Sequence, residues 1–427
     1  MSIQATTLQP RVLSPKRELW LLLTLAGIQF THILDFMIMM PLGPQFTKIF
    51  TITDAQFGML VSAYTLAAGA SGLLAATYLD KFDRKKLLLA LYVLFGLATL
   101  ACGLAPTYNT LMLARVLAGI FGGVLSALSQ TIIADVVPFE RRGRAMGIVM
   151  TSFSVSTVAG VPLGLFLAAH FSWHAPFFGI AALVALLAAG AYITLPPLAD
   201  HLKIANKPSA WSGIKQVLAD GNHLKAFAFS GLLMFAGFTV IPFITIYLQT
   251  NVGWQTNQVP YVYLCGGLVT LLTARMIGVL TDRKGKVFMF RLMAVLVILP
   301  MVASTLTEGW PMWAVLLVST VFFATMSGRM IPGMAIITSA ANPQLRGTFM
   351  ALNSAVQSAA MGVAAFIGGL IISRNAENLV QHYWVAAIVG ACASLAAVFV
   401  VGKLKLYQSN APLSTSVNTS VDIPVAK

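Results

Sequence analysis

The chain has 427 residues, of which 58% are hydrophobic and only 9% are charged. Soluble domains carry roughly 25% charged residues, so lipid rather than water must cover most of a chain this long with so little charge. The net charge of +14 would suit a nucleic-acid binder, but the basic residues fall in short clusters between apolar stretches, a membrane-protein pattern that excludes that class.

Twelve apolar segments are long enough to cross a bilayer as helices, for which about 20 residues are needed. In chain order they are residues 19–46, 55–79, 87–106, 109–136, 145–169, 174–195, 224–250, 258–280, 287–306, 311–340, 347–373 and 381–402. The sequence therefore predicts an all-α integral membrane protein with twelve transmembrane helices.

The longest connector contains several prolines and polar residues and divides these spans into two sets of six. We predict a cytoplasmic N-terminal segment at 1–17, a six-helix bundle at 18–195, a cytoplasmic linker at 196–223, a second six-helix bundle at 224–403 and a disordered cytoplasmic tail at 404–427. The tail is rich in Ser, Thr and Asn, a composition that does not build a core.

The orientation follows from the distribution of lysine and arginine, which are enriched in cytoplasmic loops. With the N-terminus inside, 22 of the 27 basic residues lie in cytoplasmic segments, and only Lys48 and Arg374 lie outside. The remaining three, Arg115, Arg275 and Arg329, fall within spans. The pattern predicts a multi-pass protein of the cytoplasmic (inner) membrane with both termini in the cytoplasm.

The two sets of spans also repeat one another. The charged loop at 80–84 corresponds to the loop at 282–286 with an offset of 202, and the loop at 138–143 corresponds to 343–347 with an offset of about 204. A nearly constant offset indicates a duplicated six-helix unit in two pseudo-symmetric bundles. Transporters with such halves bind their substrate near the midplane between them.

Asp35, near the middle of the first span, is the only acid deep in any span. A charge at the bilayer centre costs about 2.5 to 3.5 kcal/mol on insertion scales, so an acid kept there indicates function. Such a carboxyl group can bind and release protons as its access alternates between the two sides. His32 lies one turn earlier on the same helix face and is a candidate proton relay, the alternative being a neutral buried histidine.

The two charged loops, at 80–84 and 282–286, resemble a motif of a known family. The segment Gly278-Val-Leu-Thr-Asp282-Arg283-Lys-Gly285-Lys286 and its earlier copy resemble the signature loop of the major facilitator superfamily. Arg115 followed by Gly119, and the sequence Gly160-Val-Pro162-Leu-Gly164, are similar to elements of its drug:proton antiporter group, which includes the arabinose-efflux-like permeases. The resemblance implies the major facilitator fold and proton-driven antiport.

Arg115 in the fourth span is expected to pair with Asp35 or to hold an anionic substrate, and the resemblance implies a coupling role. Arg329 in the tenth span is not its repeat, because Arg115 lies 28 residues before Gly143 and Arg329 lies 18 residues before Gly347. Arg329 could bind a substrate anion or close the inner gate.

Other candidate substrate contacts lie on helix faces that could line a cavity, although aromatic stripes are more often core. They are Gln29, Phe36 and Met39 in the first span, Phe235 and Phe238 in the seventh, and Asn353 and Gln357 in the eleventh.

The resemblance also implies gating residues. A charge network at the cytoplasmic ends of the helices would latch one state of the transporter, with Asp135 paired to Arg84, and a hinge in the fifth span is the alternative to tight packing there. The gating set is Asp80, Arg84, Asp135, Arg142, Asp282, Arg283, Gly160, Pro162 and Gly164.

The sequence contains no set of residues for enzymatic catalysis and no phosphate-binding loop. Its three cysteines lie in apolar segments without metal-ligand spacing. We therefore expect no catalytic activity, no metal and no cofactor, and we expect a proton gradient to supply the energy. The expected partners are the lipid bilayer, protons and a small-molecule substrate, and the protein is expected to be a monomer. A channel is disfavoured because one deep acid forms no ring of equivalent groups. The leading hypothesis is proton-driven export of a drug, sugar or metabolite, and the alternative is proton-coupled uptake of a sugar or organic anion.

Overall fold

The computed structural model describes residues 14–199, 202, 210–342 and 344–407. In that part of the chain, twelve helical stretches are long and apolar enough to cross a membrane. The prediction of an all-α membrane protein with twelve spans is confirmed.

The first half contains eight helices, because two of its six spans are interrupted. They are α1 (Pro15–Ile38), α2 (Gly43–Ile49), α3 (Asp54–Tyr78), α4 (Arg84–Gly103), α5 (Tyr108–Val136), α6 (Phe139–Val155), α7 (Val161–His170) and α8 (Ala175–Thr194). The first span is α1 continued by α2, and the fifth is α6 joined to α7 by a π-helical turn at Ser156–Gly160.

The second half repeats this plan after the short linker helix α9 (Ala210–Ala219). Its helices are α10 (Gly221–Phe238), α11 (Ile244–Thr250), α12 (Val259–Lys284), α13 (Lys286–Leu296), α14 (Ile298–Ala303), α15 (Met312–Ala340), α16 (Arg346–Ile371) and α17 (Tyr383–Val401). A two-residue antiparallel hairpin, β1 (Ser373–Arg374) and β2 (Val380–Gln381), joins the last two spans.

Prolines account for the main interruptions of the predicted spans. The first span breaks at 39–42, where Pro41 lies and which Pro44 in the first turn of α2 follows, and the seventh breaks at 239–243, where Pro242 lies. Proline removes a backbone donor and clashes with the preceding turn, so it ends or bends a helix. The first span of each half is thus broken at a corresponding place.

Helix α9 lies inside the predicted linker 196–223, whose residues 200, 201 and 203–209 lie outside the described residues. The same holds for residues 1–13 of the predicted N-terminal segment and for 408–427 of the predicted tail. The described start of that tail turns back onto the second half, where the Tyr407 amide donates to the Ser339 carbonyl over 2.7 Å.

We call the side of the bundle where α1 begins and α17 ends the terminal face, and the other side the opposite face. The halves meet along α3 and α16, where small residues allow the backbones to approach closely. A Cβ atom at Gly58 would lie 2.6 Å from the Ala365 carbonyl oxygen, and one at Gly69 would lie 3.1 Å from that of Ala355. Large apolar side chains such as Leu272 and Phe399 point outward, as expected of a surface covered by lipid.

Candidate transport site

The centre of the first half contains a buried ion pair between Asp35 of α1 and Arg115 of α5. Arg115 Nη1 donates to Asp35 Oδ2 over 2.8 Å, and both side chains are 0% exposed. The same nitrogen also reaches the Asp35 backbone carbonyl at 3.3 Å. Removing one partner of a buried pair leaves an uncompensated charge, which is strongly destabilising, so the two residues depend on each other.

Tyr64 of α3 completes the surroundings of the guanidinium. The Arg115 guanidinium carbon lies 4.2 Å from the centre of the Tyr64 ring, a cation–π contact. Gly119 makes this approach possible, because any Cβ there would collide with the Tyr64 carbonyl oxygen. The sequence analysis missed Tyr64, since a single tyrosine in an apolar span carries no signal of its role.

The predicted stripe on α1 faces α5 as far as Asp35. Gln29 Nε2 donates to Ser126 Oγ over 3.3 Å, and a Cβ at Gly122 would collide with the His32 ring. The His32 ring lies between aromatic rings of α3 and α4, each with its centroid 6.0 Å away. Stripe and ion pair therefore form one polar layer between α1 and α5.

Several polar atoms of this layer are buried without a hydrogen-bond partner among the described residues. They are Gln29 Oε1, both ring nitrogens of His32, Asp35 Oδ1, and Arg115 Nε and Nη2. Buried polar groups are nearly always satisfied, so such a cluster makes this layer the candidate transport site of the described residues.

Phe36 of the predicted stripe contacts both halves of the protein. Its ring stacks on Tyr64, with centroids 5.5 Å apart, and on Phe238 of α10, with centroids 5.9 Å apart. The predicted contacts Phe36 and Phe238 thus meet at the interface between the halves, beside the ion pair. Phe235, one turn earlier on α10, is half-buried.

Met39 lies just beyond the end of α1 at Ile38. It is completely buried in the apolar core. Its contact with a substrate stays a prediction.

In the second half, Arg329 of α15 is fully buried with neutral partners. Its Nη2 donates to the Leu233 carbonyl over 2.9 Å and its Nη1 to Ser394 Oγ over 3.2 Å. No carboxylate among the described residues forms an ion pair with it. These contacts lie within the second half, between α10, α15 and α17.

The two candidates on α16 also lie against the second half. Gln357 Nε2 donates to Ser230 Oγ of α10 over 2.9 Å. Asn353 is 1% exposed, and its Oδ1 has no hydrogen-bond partner among the described residues. Their contact with a substrate stays a prediction.

At the terminal face, Arg84 and Asp135 form the predicted ion pair, which joins α4 to α5 within the first half. Asp282 and Arg283, the latch residues predicted in the second half, are exposed and form no ion pair among the residues that the structure describes. The side chains of Asp80 and Arg142 lie outside the described residues. The role of this set as a latch stays a prediction.

The predicted hinge in the fifth span coincides with the π-helical turn at Ser156–Gly160. Ser156 Oγ donates to the Phe30 carbonyl of α1 over 3.1 Å, while a Cβ at Gly267 of α12 would lie 3.0 Å from Val158 Cα. Gly160 and Gly164 pack against Leu34 and Ile38 of α1, and Pro162 follows the turn. Because π-turns are frequent at functional sites, the geometry fits a hinge that contacts both halves.

The opposite face has an ion pair that the sequence analysis did not find. Arg374 of the hairpin binds Asp54 at the start of α3 through two parallel hydrogen bonds of 2.8 Å each. Asn251 holds the hairpin through both backbone groups of Val380, at 3.0 and 2.9 Å. The pair joins the two halves and thus acts as a clamp at this face.

Apolar contacts seal the opposite face next to this clamp. The Phe57 and Phe243 rings meet edge to face with centroids 6.0 Å apart, and a Cβ at Gly43 would lie 3.0 Å from Ile246. In this conformation the halves are therefore closed together at the opposite face.

Two six-helix halves with a buried ion pair beside their interface define a multi-pass membrane transporter. The sequence profile of the Major Facilitator Superfamily matches residues 25–329, and the chain belongs to that superfamily. The expected family is confirmed, and its members are transporters rather than enzymes.

Relatives and solved structures agree with this assignment. The chain is 25% identical over 337 residues to YtbD, an uncharacterized MFS-type transporter of Bacillus subtilis, covering 78% of this chain and 82% of that protein. It is 24% identical to a probable sugar efflux transporter of Pasteurella multocida, with 82% of each chain covered. A crystal structure of a D-xylose–proton symporter superposes with a TM-score of 0.76 at 17% identity, over 92% of this chain and 99% of that one, which shows a shared fold.

Proposed function

We propose that the protein is a proton-coupled secondary active transporter that exports a small organic molecule by alternating access. The observation that carries the proposal is the Asp35–Arg115 ion pair, which is fully buried in the polar layer between α1 and α5. Because ionisable groups inside a membrane are costly, they mark proton or substrate pathways. Export is favoured by the resemblance to the antiporter group and by the similarity to a probable sugar efflux transporter.

The mechanism follows from what a proton does to this pair. With Asp35 ionised, the carboxylate neutralises Arg115 and holds α1 against α5. Protonation removes that attraction and leaves Arg115 with the backbone carbonyl and the Tyr64 ring. A freed guanidinium destabilises this arrangement, so the proton biases α1, and with it Phe36, towards a different position relative to the second half.

Substrate is proposed to bind between the halves beside the stacked rings of Phe36 and Phe238, on the side towards the terminal face. Proton and substrate then compete for the same conformational change, which is the requirement for antiport. No cofactor is required, since the proton gradient supplies the free energy. We also propose a monomer in the cytoplasmic membrane with the terminal face in the cytoplasm, in line with the distribution of basic residues.

The alternative is proton-coupled uptake of a sugar or an organic anion. The fold shared with a D-xylose–proton symporter favours the sugar. The buried Arg329, which has no carboxylate partner among the described residues, favours the anion.

Transport into proteoliposomes under an imposed pH gradient tests the proposal. The panel consists of sugars, organic acids and lipophilic drugs, and the intact protein is compared with Asp35→Asn. The matched control is Glu377→Gln, which removes an exposed carboxyl from a loop. We expect gradient-driven transport to be lost in Asp35→Asn and kept in the control, with substrate exchange without a gradient still present in both. Normal coupling in Asp35→Asn would refute the role of Asp35, and the direction of the gradient effect separates export from uptake.

A further inference from the structure

Each half contains one buried arginine that binds the broken first helix of that half. In the first half, Arg115 binds the backbone carbonyl and the carboxylate of Asp35, three residues before α1 ends at Ile38. In the second half, Arg329 binds the carbonyl of Leu233, five residues before α10 ends at Phe238. The two arginines are not at repeated positions in the sequence, yet they hold corresponding parts of the two halves.

The two contacts differ in their response to protons. Around Asp35, the ionisable side chains are Arg115, His32, Tyr64 and Cys102. Arg329 binds the Leu233 carbonyl and the Ser394 hydroxyl, and Ser394 is itself bound to the Ala294 carbonyl over 2.9 Å. The ionisable side chains of α10 itself, His223 and Lys225, lie near its start, at least eight residues before Leu233. A proton can therefore weaken the first contact but finds no basic site in the second.

We propose that Arg329 is a positioning residue for the transport site, which holds α10 in place whatever the protonation state, as the fixed counterpart of the Asp35–Arg115 pair. This inference rests on the proposed proton coupling at Asp35. Arg329 acts through α10 on Phe238, whose ring stacks on Phe36 of α1. One side of the central contact is thus fixed, and the other moves with the proton.

The burial of Arg329 supports this assignment. A guanidinium is always charged, and burying it among neutral partners is costly unless several of its donors are used. Two donors are used here, and both bonds join different elements to α15. A side chain at Gly237 would reach within 3.5 Å of Arg329 Nη2, so α10 lies directly on the guanidinium.

Hydrogen–deuterium exchange of the full chain in lipid nanodiscs tests the proposal without a known substrate. Protection of α1 and α10 is measured across pH 5 to 9, after correction for the intrinsic pH dependence of amide exchange. The variant is Arg329→Gln, and the matched control is Arg275→Gln, which removes an exposed arginine from the same half. In the unmodified protein, we expect α1 protection to change with pH and the protection of residues 233–238 of α10 to stay constant. The start of α10, where His223 lies 3.6 Å from Asp220, is followed separately.

In Arg329→Gln, α10 protection should fall about tenfold or more at every pH, since hydrogen bonds from a charged donor are lost. The pH response of α1 should remain. Arg329→Lys, which keeps a cation able to reach the Leu233 carbonyl, should recover part of the loss. If Arg329→Gln does not fold, Ser394→Ala removes one of the two bonds, and α10 protection should fall about threefold.

A second measurement follows the position of Phe238. Cysteines at 36 and 238, in a chain whose native cysteines are replaced, are joined by a short thiol crosslinker. The yield should fall several-fold with Arg329→Gln, recover partly with Arg329→Lys and stay unchanged with Arg275→Gln. A purely structural arginine would lower thermal stability without this change in yield.

The proposal is overturned if the protection of residues 233–238 in the unmodified protein varies with pH, or if Arg329→Gln behaves like Arg275→Gln. A pH-independent α1 would instead refute proton coupling at Asp35, and the behaviour of α10 would still decide the role of Arg329.

Discussion

The clamp between Asp54 and Arg374 should control how often the opposite face opens. It is the charged contact described above that joins the two halves at this face, and Asp54 is 3% exposed. Two parallel charge-assisted bonds on a shielded carboxylate contribute about 2 kcal/mol. Asp54→Asn should therefore raise the ratio of open to closed molecules at this face about 30-fold.

The acid–base behaviour of the clamp gives its pH range. The hydrogen bonds that Arg374 donates to the Asp54 carboxylate raise the pKa of Arg374 above its usual value. A raised pKa means that the stabilisation from the arginine is fully present below its usual pKa and is lost only as the pH rises through the higher value. Titration of Arg374 therefore cannot open the clamp at physiological pH.

Pulsed electron paramagnetic resonance can measure the populations. Spin labels at Lys48 of the first half and Gln255 of the second, both exposed, report the separation at the opposite face. We expect a longer distance to gain population in Asp54→Asn. The charge-exchanged pair Asp54→Arg with Arg374→Asp should restore closure incompletely, because an arginine in the first turn of α3 opposes the helix dipole by about 0.3 to 1 kcal/mol.

The matched control is Glu377→Gln, which changes an exposed carboxyl of the same loop and should leave the distances unchanged. An unchanged distribution in Asp54→Asn would refute the clamp and leave the apolar contacts as the seal. A shift of equal size in the control would mean that the loop, rather than the ion pair, is responsible.

Three further outcomes are expected. Tyr64→Leu removes the cation–π contact and should lower the melting temperature in detergent and alter the pH dependence of transport, whereas Tyr64→Phe keeps an aromatic ring there and should do neither. Gly58→Val, which places a side chain against the Ala365 carbonyl, should separate α3 from α16 and reduce expression of folded protein, measured by size-exclusion chromatography, while Gly58→Ala should be milder. Asp135→Asn replaces the carboxylate that binds the Arg84 guanidinium, 5% exposed, by a neutral amide and should lower the free energy of unfolding by about 1 to 3 kcal/mol, and an unaltered denaturation midpoint would show that the pair contributes nothing.

The spans could be predicted from the sequence because membrane insertion depends on apolar length, a property that each segment carries by itself. The interruptions could be predicted only in part. Pro41, Pro44 and Pro242 mark the breaks in the first and seventh spans. Gly160, Pro162 and Gly164 predict a hinge in the fifth span, but they do not predict that it takes the form of a π-helical turn at Ser156–Gly160. Met39 lies after the end of α1 at Ile38, where helical periodicity no longer places a side chain.

The pairing of Asp35 with Arg115 could be predicted because charges are so rare in the spans that few partners exist. Tyr64 and the Asp54–Arg374 clamp could not, since both depend on how helices distant in sequence are rotated against one another. Arg374 did carry a weak signal in the sequence, as one of only two basic residues that the charge distribution places on the outer side. An isolated cation there is stabilised by a nearby carboxylate, and Asp54 is the first residue of α3 in the first half.

The duplicated fold raises the question of why only one half carries a carboxylate in its buried arginine contact. A second titratable pair in the other half would let each half respond to a proton separately, and intermediate states with only one half released would be populated. In the proposed mechanism, Arg329 is bound to neutral acceptors, so protonation of Asp35 would change the position of α1 against a fixed α10. Protonation would then select between two arrangements of the Phe36–Phe238 contact. On this proposal, asymmetry between the halves links protonation to one conformational step, and the neutral partners of Arg329 matter to it as much as the charge of Asp35.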